Sequence, residues 1–186
     1  MHFLEITHVD MKNGVGLRTI LWVSGCEHKC VNCQNAYSWD CSIGKPFDDW
    51  AEMELFEAAS VPEIRGITFS GGDPLHPSNR EKIGELARKF KNLYPSKDIW
   101  LYTGYTLQDV KNGVFADRNA HTISIDWIQL IDVLVDGPYL DQIRKDDLIK
   151  RREPDWCGSS NQRVIDVQAS ITNNTIKLLG RSRFYE

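Results

Sequence analysis

The amino-acid sequence predicts an α/β fold in which one domain spans residues 1–186, with roughly residues 170–186 as a C-terminal extension. We expect a partial, TIM-like βα barrel or a curved, mostly parallel sheet with helices on the outside. Three observations predict this architecture. β-branched runs alternate with helix-patterned segments, and loops rich in glycine or cysteine follow four of those runs. The chain of 186 residues is also shorter than the ~250 residues that a closed eightfold barrel takes.

Two strands and a helix are predicted in the first part of the chain. The β-branched and aromatic runs at residues 19–23 and 64–70 predict strands. Between them, apolar residues at helical spacing predict a helix over residues 47–59, with Asp48 available near its amino end. The two glycines of residues 13–18 predict a loop connection, because glycine permits a tight turn or a close backbone approach.

The middle of the chain continues this alternation. Residues 78–81 match a capping box, and apolar residues on one face predict a helix up to residue 94. A third strand is predicted at residues 99–102, followed by a short helix that opens with a second capping box at residues 106–109. A helix around residues 124–130 then leads into a fourth strand at residues 133–135.

The last part of the chain predicts a β-hairpin. Residues 164–169 and 175–179 have the composition of strands and are joined through the turn-forming pair Asn173-Asn174. The mixed charges of residues 142–152 are typical of a solvated segment. No function follows from that charged segment alone.

Composition excludes several classes of function. The 22 Lys and Arg residues stand against 26 Asp and Glu residues, and the net charge of -4 does not supply the basic field that phosphate backbones demand. We therefore expect no nucleic-acid partner. The sequence shows neither a signal-like amino terminus nor an apolar stretch long enough to cross a bilayer. We expect a cytoplasmic protein with no membrane partner.

Four predicted strands end in loops that carry chemically useful residues. The loops are residues 26–33, 71–74, 103–105 and 136–138. The carboxyl ends of parallel strands share one edge of the sheet, and ligands bind at that edge in such folds. We therefore expect these four loops to build one site.

Three cysteines crowd the first of these loops. Cys26, Cys30 and Cys33 have C-x-x-x-C-x-x-C spacing, and in a chain with 5 cysteines, an odd number, metal binding is favoured over a disulfide framework. Cuboidal four-iron clusters normally take four thiolates, so three thiolates would leave one iron open to a ligand. A structural zinc site is the alternative, with Cys41 or His28 as the fourth ligand.

The second loop carries two glycines before a carboxylate. Because Gly71 and Gly72 have no side chains, backbone carbonyls and amides can reach a ligand there, and Asp73 adds a negative charge. An amine or ammonium group is the natural ligand for carbonyls and an acid. A turn that merely ends a strand is the alternative interpretation of this loop.

Taken together, the cysteine triplet and the Gly-Gly-Asp-Pro loop resemble the radical S-adenosylmethionine enzymes. Within that group, the chain closely resembles the anaerobic ribonucleoside-triphosphate reductase activating proteins. The segments that carry this resemblance run from near the start to about Val167, and they are Asp10 and residues 13–18, 24–26, 68–77, 98–105, 133–137 and 158–163.

This resemblance implies a single radical S-adenosylmethionine domain with oxidoreductase activity. Cys26, Cys30 and Cys33 would ligate a 4Fe-4S cluster, whose open iron would bind the amino and carboxylate groups of S-adenosylmethionine. An electron from a donor such as reduced flavodoxin would then cleave the sulfonium to methionine and a 5'-deoxyadenosyl radical. That radical would remove a hydrogen atom from a glycine of anaerobic ribonucleoside-triphosphate reductase, the implied protein partner, and leave a glycyl radical.

The resemblance also implies which residues contact S-adenosylmethionine. Gly71, Gly72 and Asp73 would hold its methionine end, and Asn32 and Gln34, which flank the third cysteine, would also contact it. Gln34 stands where this family commonly has an aromatic residue, and Asn32 stands where a small residue is usual.

Three further residues have two interpretations each. Arg18 would serve an acidic group of a ligand or partner, or form a surface ion pair. Tyr105 and Asp136 would lie at the edge of the site, or be an ordinary core aromatic and an ordinary strand cap.

Two other functions fit the same residues. An activase of another glycyl-radical enzyme, of the pyruvate formate-lyase type, would use the same chemistry, although such activases are generally longer. A non-catalytic zinc or iron-sulfur interaction module would need only the cysteines and a small domain.

Overall fold

A computed structural model describes residues 1–112, 126–144 and 156–179, and it centres on a seven-stranded sheet. The strands are β1 (His2–Asp10), β2 (Leu17–Val23), β3 (Lys45–Pro46), β4 (Ile64–Gly71), β5 (Asp98–Tyr102), β6 (Val133–Asp136) and β7 (Arg163–Asp166). Their order across the sheet is β3-β1-β2-β4-β5-β6-β7, and the four central strands β2, β4, β5 and β6 are parallel. The outer strands pair antiparallel, and the sheet does not close. The predicted α/β fold with an open, curved sheet or partial barrel is confirmed.

Helices connect the parallel strands. α1 (Asp49–Ser60) lies between β2 and β4, and α2 (Arg80–Leu93) lies between β4 and β5. α3 (Leu107–Asn112) and a 3-10 helix (Asp126–Leu130) lie between β5 and β6. α4 (Val167–Thr172) follows β7, and shorter 3-10 helices occur at Ala36–Ser38 and Asp141–Ile143. None of the helices in the described ranges is both long and apolar enough to cross a membrane.

Both faces of the central strands are buried. On one face, alternate strand residues such as Leu21, Phe69 and Leu101 are fully buried in a cluster with the helix residues Leu55 and Phe90. Full burial of a side chain of this size contributes roughly 1.5–3 kcal/mol. A smaller apolar cluster covers the other face and includes Val15, Trp100, Val133 and Val135.

Two helices begin as the sequence predicts. The Asp48 carboxylate accepts a hydrogen bond from the Ala51 amide at 3.0 Å and so caps α1. At the start of α3, the Asp109 carboxylate accepts from the Thr106 amide at 2.9 Å, and the Asp109 amide donates to Thr106 Oγ1 at 3.1 Å. The capping box predicted at residues 106–109 is therefore present.

Helix α2 forms as predicted, but without the predicted capping box at residues 78–81. Its N-cap residue is Asn79, whose side chain makes no capping bond and instead donates to the carbonyls of Ser24 at 2.8 Å and Asp73 at 2.9 Å. Ser78 is exposed and bonds to His76. The capping-box prediction is wrong because the N-cap is one residue later, at Asn79, and the side-chain amide of Asn79 is hydrogen-bonded to loop carbonyls instead of capping the helix.

The predicted C-terminal hairpin is confirmed only in part, because its first strand ends at Asp166 and a helix follows where the strand was predicted to continue to residue 169. β7 pairs with β6, and the Asp166 carboxylate then accepts a hydrogen bond from the Ala169 amide at 2.8 Å, which caps α4. Residues 177–179 still return antiparallel to β7: Leu178 bridges Ile165, the Asp166 amide donates to the Lys177 carbonyl at 2.9 Å, and the Leu179 amide donates to the Val164 carbonyl at 2.8 Å. A helix follows β7 because aspartate at the end of the strand is a favourable N-cap residue.

Other differences concern the ends of the sheet and the connections. β1 and β3 were not predicted, and both lie on the antiparallel side of β2. The helix predicted around residues 124–130 is a 3-10 helix at Asp126–Leu130. Residues 124–125, residues 145–152 of the charged segment and residues 180–186 of the extension lie outside the described residues.

A buried ion pair lies at the amino edge of the sheet, opposite to the cysteine loop. Arg18 is fully buried, lies 2.6 Å from Asp98 Oδ1, and donates from Nε to Thr68 Oγ1 at 2.7 Å. Burial lowers the pKa of Arg18, and the charge of Asp98 opposes that shift. Of the two roles considered for Arg18 from the sequence, the ion pair is present but buried instead of at the surface, and contact with an acidic group of a ligand or partner is wrong, because the guanidinium is fully buried against Asp98.

Candidate functional site

Four loops continue the carboxyl edge of the parallel strands, as the sequence predicts. Val23 at the end of β2 is level with Gly71 at the end of β4, and Tyr102 at the end of β5 is level with Val135 of β6. The amide of Thr103 donates to the Val135 carbonyl at 2.9 Å. The cysteine loop therefore lies next to the Gly-Gly-Asp loop, and the other two loops extend the same edge.

Backbone hydrogen bonds hold the cysteine loop. The amide of Cys26 donates to the Trp39 carbonyl at 3.0 Å, and the amide of Cys33 donates to the Cys30 carbonyl at 3.1 Å. Asn32 has a positive φ of 54°, a conformation that asparagine adopts more readily than most residues. These contacts tie the start of the loop to the segment that follows it and close a turn between Cys30 and Cys33.

The thiols of Cys26, Cys30 and Cys33 are partly buried and free of disulfides. Burial raises the pKa of Cys26 to about 12, and the negative charge of Asp73 is the next cause. Burial also raises the pKa of Cys30. These two thiols are therefore protonated at neutral pH, and a metal centre has to displace their protons when it binds.

The three cysteines share one loop, but their side chains are not gathered around one point. Across residues 1–112, 126–144 and 156–179, no three His, Cys, Asp or Glu side chains are placed to hold a single metal ion. Three partly buried thiols on one loop match the donor chemistry of an iron-sulfur cluster. Of the two residues considered as a fourth zinc ligand, His28 is hydrogen-bonded through Nε2 to Asp73, and Cys41 is exposed.

The two glycines of the second loop bring its backbone against the segment that enters the cysteine loop. The amide of Gly72 donates to the Val23 carbonyl, and the amide of Asp73 donates to the Gly25 carbonyl, each at 2.7 Å. A Cβ atom on Gly72 would lie 2.5 Å from the Gly25 carbonyl oxygen, and Gly71 has a φ of +104° that favours glycine. Within the described ranges, no backbone amide donates to the Gly72 carbonyl.

The Asp73 carboxylate is buried and surrounded by protein donors. It is 2% exposed, and its Oδ2 lies 2.9 Å from both His28 Nε2 and the Gly104 amide nitrogen. The Thr103 hydroxyl donates to its two oxygens at 2.9 and 3.0 Å, and the Leu75 amide donates to Oδ1 at 2.8 Å. The sequence predicts that the Asp73 carboxylate binds a ligand. In the structure, protein donors already occupy most of the hydrogen-bonding positions on its two oxygens.

His28 and Tyr105 form an aromatic pair beside Asp73. Their ring centroids are 4.5 Å apart with an interplanar angle of 70°, and the Tyr105 hydroxyl donates to the Glu27 carboxylate. Burial alone would lower the pKa of His28, but the hydrogen bond to Asp73 and nearby acidic charges raise it overall. Burial and the bond to Glu27 raise the pKa of Tyr105, so its hydroxyl remains a donor. Tyr105 thus lies at the edge of the site, which is one of the two positions considered for it from the sequence.

Asn32 and Gln34 lie on the exposed rim of the cysteine loop. The Asn32 side-chain amide donates to Asp141 Oδ2 at 2.7 Å, and the Tyr139 hydroxyl donates to Asp141 Oδ1 at 2.8 Å. These two hydrogen bonds lower the pKa of Asp141. Asn32 therefore ties the cysteine loop to the chain that follows β6.

Asp136 is a buried support of the site. It is fully buried, accepts a hydrogen bond from the Leu107 amide at 2.8 Å, and forms a two-point ion pair with the Arg163 guanidinium. The hydrogen bond to Asp136 is the main cause that raises the pKa of Arg163. Asp136 therefore fixes the start of α3 and the end of β6, which agrees with a strand-cap role.

The polar segment 158–163 braces the loop after β6. The Asn161 side-chain amide donates to the Pro138 carbonyl at 2.7 Å, and the Gln162 side-chain amide donates to the Gly137 carbonyl at 3.0 Å. This segment is distant in sequence from the other loops, but it belongs to the same edge of the molecule.

Sequence reasoning missed the residues that join the loops to one another. His28 was considered only as a zinc ligand, and Thr103 and Gly104 were assigned no role of their own. A Cβ atom on Gly104 would lie 2.4 Å from His28 Cδ2, so a residue without a side chain is needed there. The sequence did contain hints of these residues, namely a histidine between two cysteines and a Thr-Gly pair at the end of a strand. Only the fold shows that His28 lies against Gly104 and that both His28 and Thr103 bond to Asp73.

Comparisons with known proteins cover this whole site. A family model described as a 4Fe-4S single cluster domain matches residues 12–165. The anaerobic ribonucleoside-triphosphate reductase-activating protein of Enterobacteria phage T4 is 37% identical over 164 residues, which are 88% of this chain and 93% of the relative. The protein of that name from Escherichia coli K12 is 37% identical over 166 residues, 88% of this chain and 97% of the relative. The one from Vibrio cholerae is 35% identical over 164 residues, 87% of this chain and 96% of the relative.

Proposed function

The chain belongs to the family of anaerobic ribonucleoside-triphosphate reductase-activating proteins, with a 4Fe-4S single cluster domain, and on this premise we propose that it is a radical S-adenosylmethionine activating enzyme. Its protein substrate is an anaerobic ribonucleoside-triphosphate reductase, on which it forms a glycyl radical. The observation that carries the proposal is the direct backbone contact between the cysteine loop and the Gly-Gly-Asp loop at the ends of two parallel strands.

In the proposed enzyme, the thiolates of Cys26, Cys30 and Cys33 would hold the 4Fe-4S cluster. With one electron from a donor such as reduced flavodoxin, the bound cluster and S-adenosylmethionine would supply radical chemistry in which S-adenosylmethionine ends as methionine and 5'-deoxyadenosine and the reductase glycine, having lost a hydrogen atom, as a glycyl radical. The chemistry belongs to the cofactors, and the protein supplies binding and orientation.

The residues of the second loop bind the methionine end of S-adenosylmethionine. Gly71 and Gly72 offer backbone groups without a side chain in the way, and the Gly72 carbonyl suits the ammonium group of the ligand. Asp73 adds its negative charge near that ammonium while its oxygens stay bonded to protein donors. Asn32 and Gln34 contact the ligand from the rim.

The open geometry supports a protein substrate. The sheet does not close, and the rim residues Asn32 and Gln34 of the cysteine loop are exposed, so a loop of the reductase can approach the site. We place the enzyme in the cytoplasm, because the proposed cluster needs reduced cysteine thiols and the cytosol keeps thiols reduced.

A pair of cysteine variants tests this proposal. After anaerobic reconstitution, we expect the wild-type protein to bind four irons and to release 5'-deoxyadenosine and methionine from S-adenosylmethionine under a strong reductant. Cys30→Ala should abolish release, whereas Cys41→Ala should preserve both iron content and release, because Cys41 is exposed and outside the triplet. Iron analysis and chromatography of the products measure both effects.

The same experiment separates the proposal from its alternatives. Retained cleavage in Cys30→Ala would contradict the ligand assignment. A colourless protein that holds stoichiometric zinc and loses it in Cys41→Ala would indicate a zinc interaction module instead. A separate pull-down from anaerobic lysate, with this protein as bait, tests the substrate. Recovery of only a different glycyl-radical enzyme would change the substrate assignment.

A further inference from the structure

One side chain of the cysteine loop connects three of the four site loops. His28 lies between two proposed cluster ligands, and its Nε2 lies 2.9 Å from Asp73 Oδ2. Its ring packs edge-on to Tyr105 and leaves no room for a side chain at Gly104. Backbone hydrogen bonds from Gly72 and Asp73 fix the entry to the cysteine loop at Val23 and Gly25, and His28 adds a side-chain contact from within the loop, between Cys26 and Cys30.

The partner of His28 is itself held rigidly. The Asp73 carboxylate is 2% exposed and also accepts hydrogen bonds from Thr103 and from the amides of Leu75 and Gly104. Asp73 directly follows Gly72, whose carbonyl is proposed to meet the methionine end of the ligand. A displacement of the Asp73 carboxylate would therefore move the backbone that contacts the ligand.

We infer that His28 is a positioning residue that sets the cysteine loop against the Gly71-Gly72 backbone, so that tight binding of S-adenosylmethionine depends on its hydrogen bond to Asp73. This inference rests on the proposed function. His28 does not bind the cluster, and it touches neither the reacting atoms nor the ligand. It acts through Asp73. Residues that hydrogen-bond to a ligand-contacting residue commonly fix the orientation of that residue in this way.

Two substitutions at His28 test this role by ligand binding. His28→Phe keeps a ring against Tyr105 and Gly104 but removes the nitrogen that faces Asp73. In the cluster-loaded protein, we expect an unchanged iron content and a dissociation constant for S-adenosylmethionine that rises about 10- to 100-fold. His28→Gln, which restores an N–H donor, should recover most of that loss. The change that the ligand induces in the electron paramagnetic resonance spectrum of the reduced cluster should weaken and recover in parallel.

A matched substitution and a second variant keep the test decisive. His8→Phe makes the same chemical change at an exposed histidine whose partner is Glu54, and it should leave ligand affinity unchanged. Gly104→Ala leaves every residue of the cysteine loop intact but places a Cβ atom 2.4 Å from the His28 ring, so it should weaken ligand binding in the same direction. It therefore decides the question if His28→Phe fails to fold or to load iron.

The outcomes distinguish this inference from the proposed function. Wild-type ligand affinity in iron-loaded His28→Phe, or in iron-loaded Gly104→Ala, would overturn the role of His28 and leave the proposed function intact. A wild-type protein that loads no cluster or binds no S-adenosylmethionine would instead overturn the proposed function. Equal weakening in His28→Phe and His28→Gln would also contradict the inference, because the donor would then not matter.

Discussion

At the scale of single residues, one buried carboxylate organises the candidate site. Asp73 accepts hydrogen bonds from His28, Thr103, Gly104 and Leu75, which belong to three different loops. Burial of a carboxylate without hydrogen-bond partners costs several kcal/mol, so these donors stabilise Asp73 where it lies. The carboxylate therefore fixes the loops relative to one another.

The burial of Cys26 predicts its chemical reactivity in the metal-free protein. Because burial raises the pKa of Cys26 to about 12, only about one thiol in ten thousand is ionised at pH 8, and the thiolate is the reactive form. Iodoacetamide should therefore modify exposed Cys41 long before Cys26 at pH 8. The rate at Cys26 should rise about tenfold per pH unit up to about pH 11. Peptide mass spectrometry measures both rates, and equal rates at pH 8 would contradict the buried position of Cys26.

The ion pair of Asp136 and Arg163 predicts a large loss of stability on truncation. Arg163→Ala leaves the fully buried Asp136 charge without its partner, so the free energy of unfolding should fall by about 3 kcal/mol. Arg88→Ala removes an exposed pair with Asp126 and should cost about 0–1 kcal/mol. Urea denaturation of the two metal-free variants measures the difference. Equal losses would show that the Asp136 pair contributes no more than a surface pair.

At the scale of elements, local sequence patterns predicted the parallel strands and the helices between them. They did not predict which residues cap helices α2 and α4 or what those residues contact. The four central strands are β-branched runs that are buried on both faces, and this gives them a strong signal. The pattern at residues 78–81 is equally clear but misleading, because the Ser24 carbonyl that binds Asn79 lies 55 residues away in sequence. Asp166 likewise follows strand-like residues and then caps a helix.

The start of α2 predicts opposite outcomes for two neighbouring residues. Asn79→Ala removes a buried side-chain amide and leaves the carbonyls of Ser24 and Asp73 without its donor, so the free energy of unfolding should fall by about 1–3 kcal/mol. Ser78→Ala should change it by less than about 0.5 kcal/mol, because Ser78 is exposed and is not the N-cap residue. Chemical denaturation compares the two variants. A larger loss of stability in Ser78→Ala than in Asn79→Ala would indicate that Ser78 caps the helix, as the sequence predicts.

At the scale of the whole molecule, an open sheet collects four loops at one edge, and that arrangement could be predicted from the sequence. Parallel strands place their carboxyl ends together, so the position of the cysteine loop beside Gly71 and Gly72 follows from topology alone. The contacts among Asp73, His28 and Gly104 could not be predicted, because they depend on distances between loops that only packing determines. β1 also gave little signal, since most of its side chains are only partly buried.

The central claim is that this assembled edge generates a glycyl radical on a partner protein. The most direct measurement is the electron paramagnetic resonance spectrum of an anaerobic ribonucleoside-triphosphate reductase after anaerobic incubation with the cluster-loaded protein, S-adenosylmethionine and a reductant. We predict a glycyl radical doublet that requires all three and is lost with Cys30→Ala. The absence of a doublet from a reductase that a known activating protein can activate, under conditions in which this protein cleaves S-adenosylmethionine, would contradict the claim.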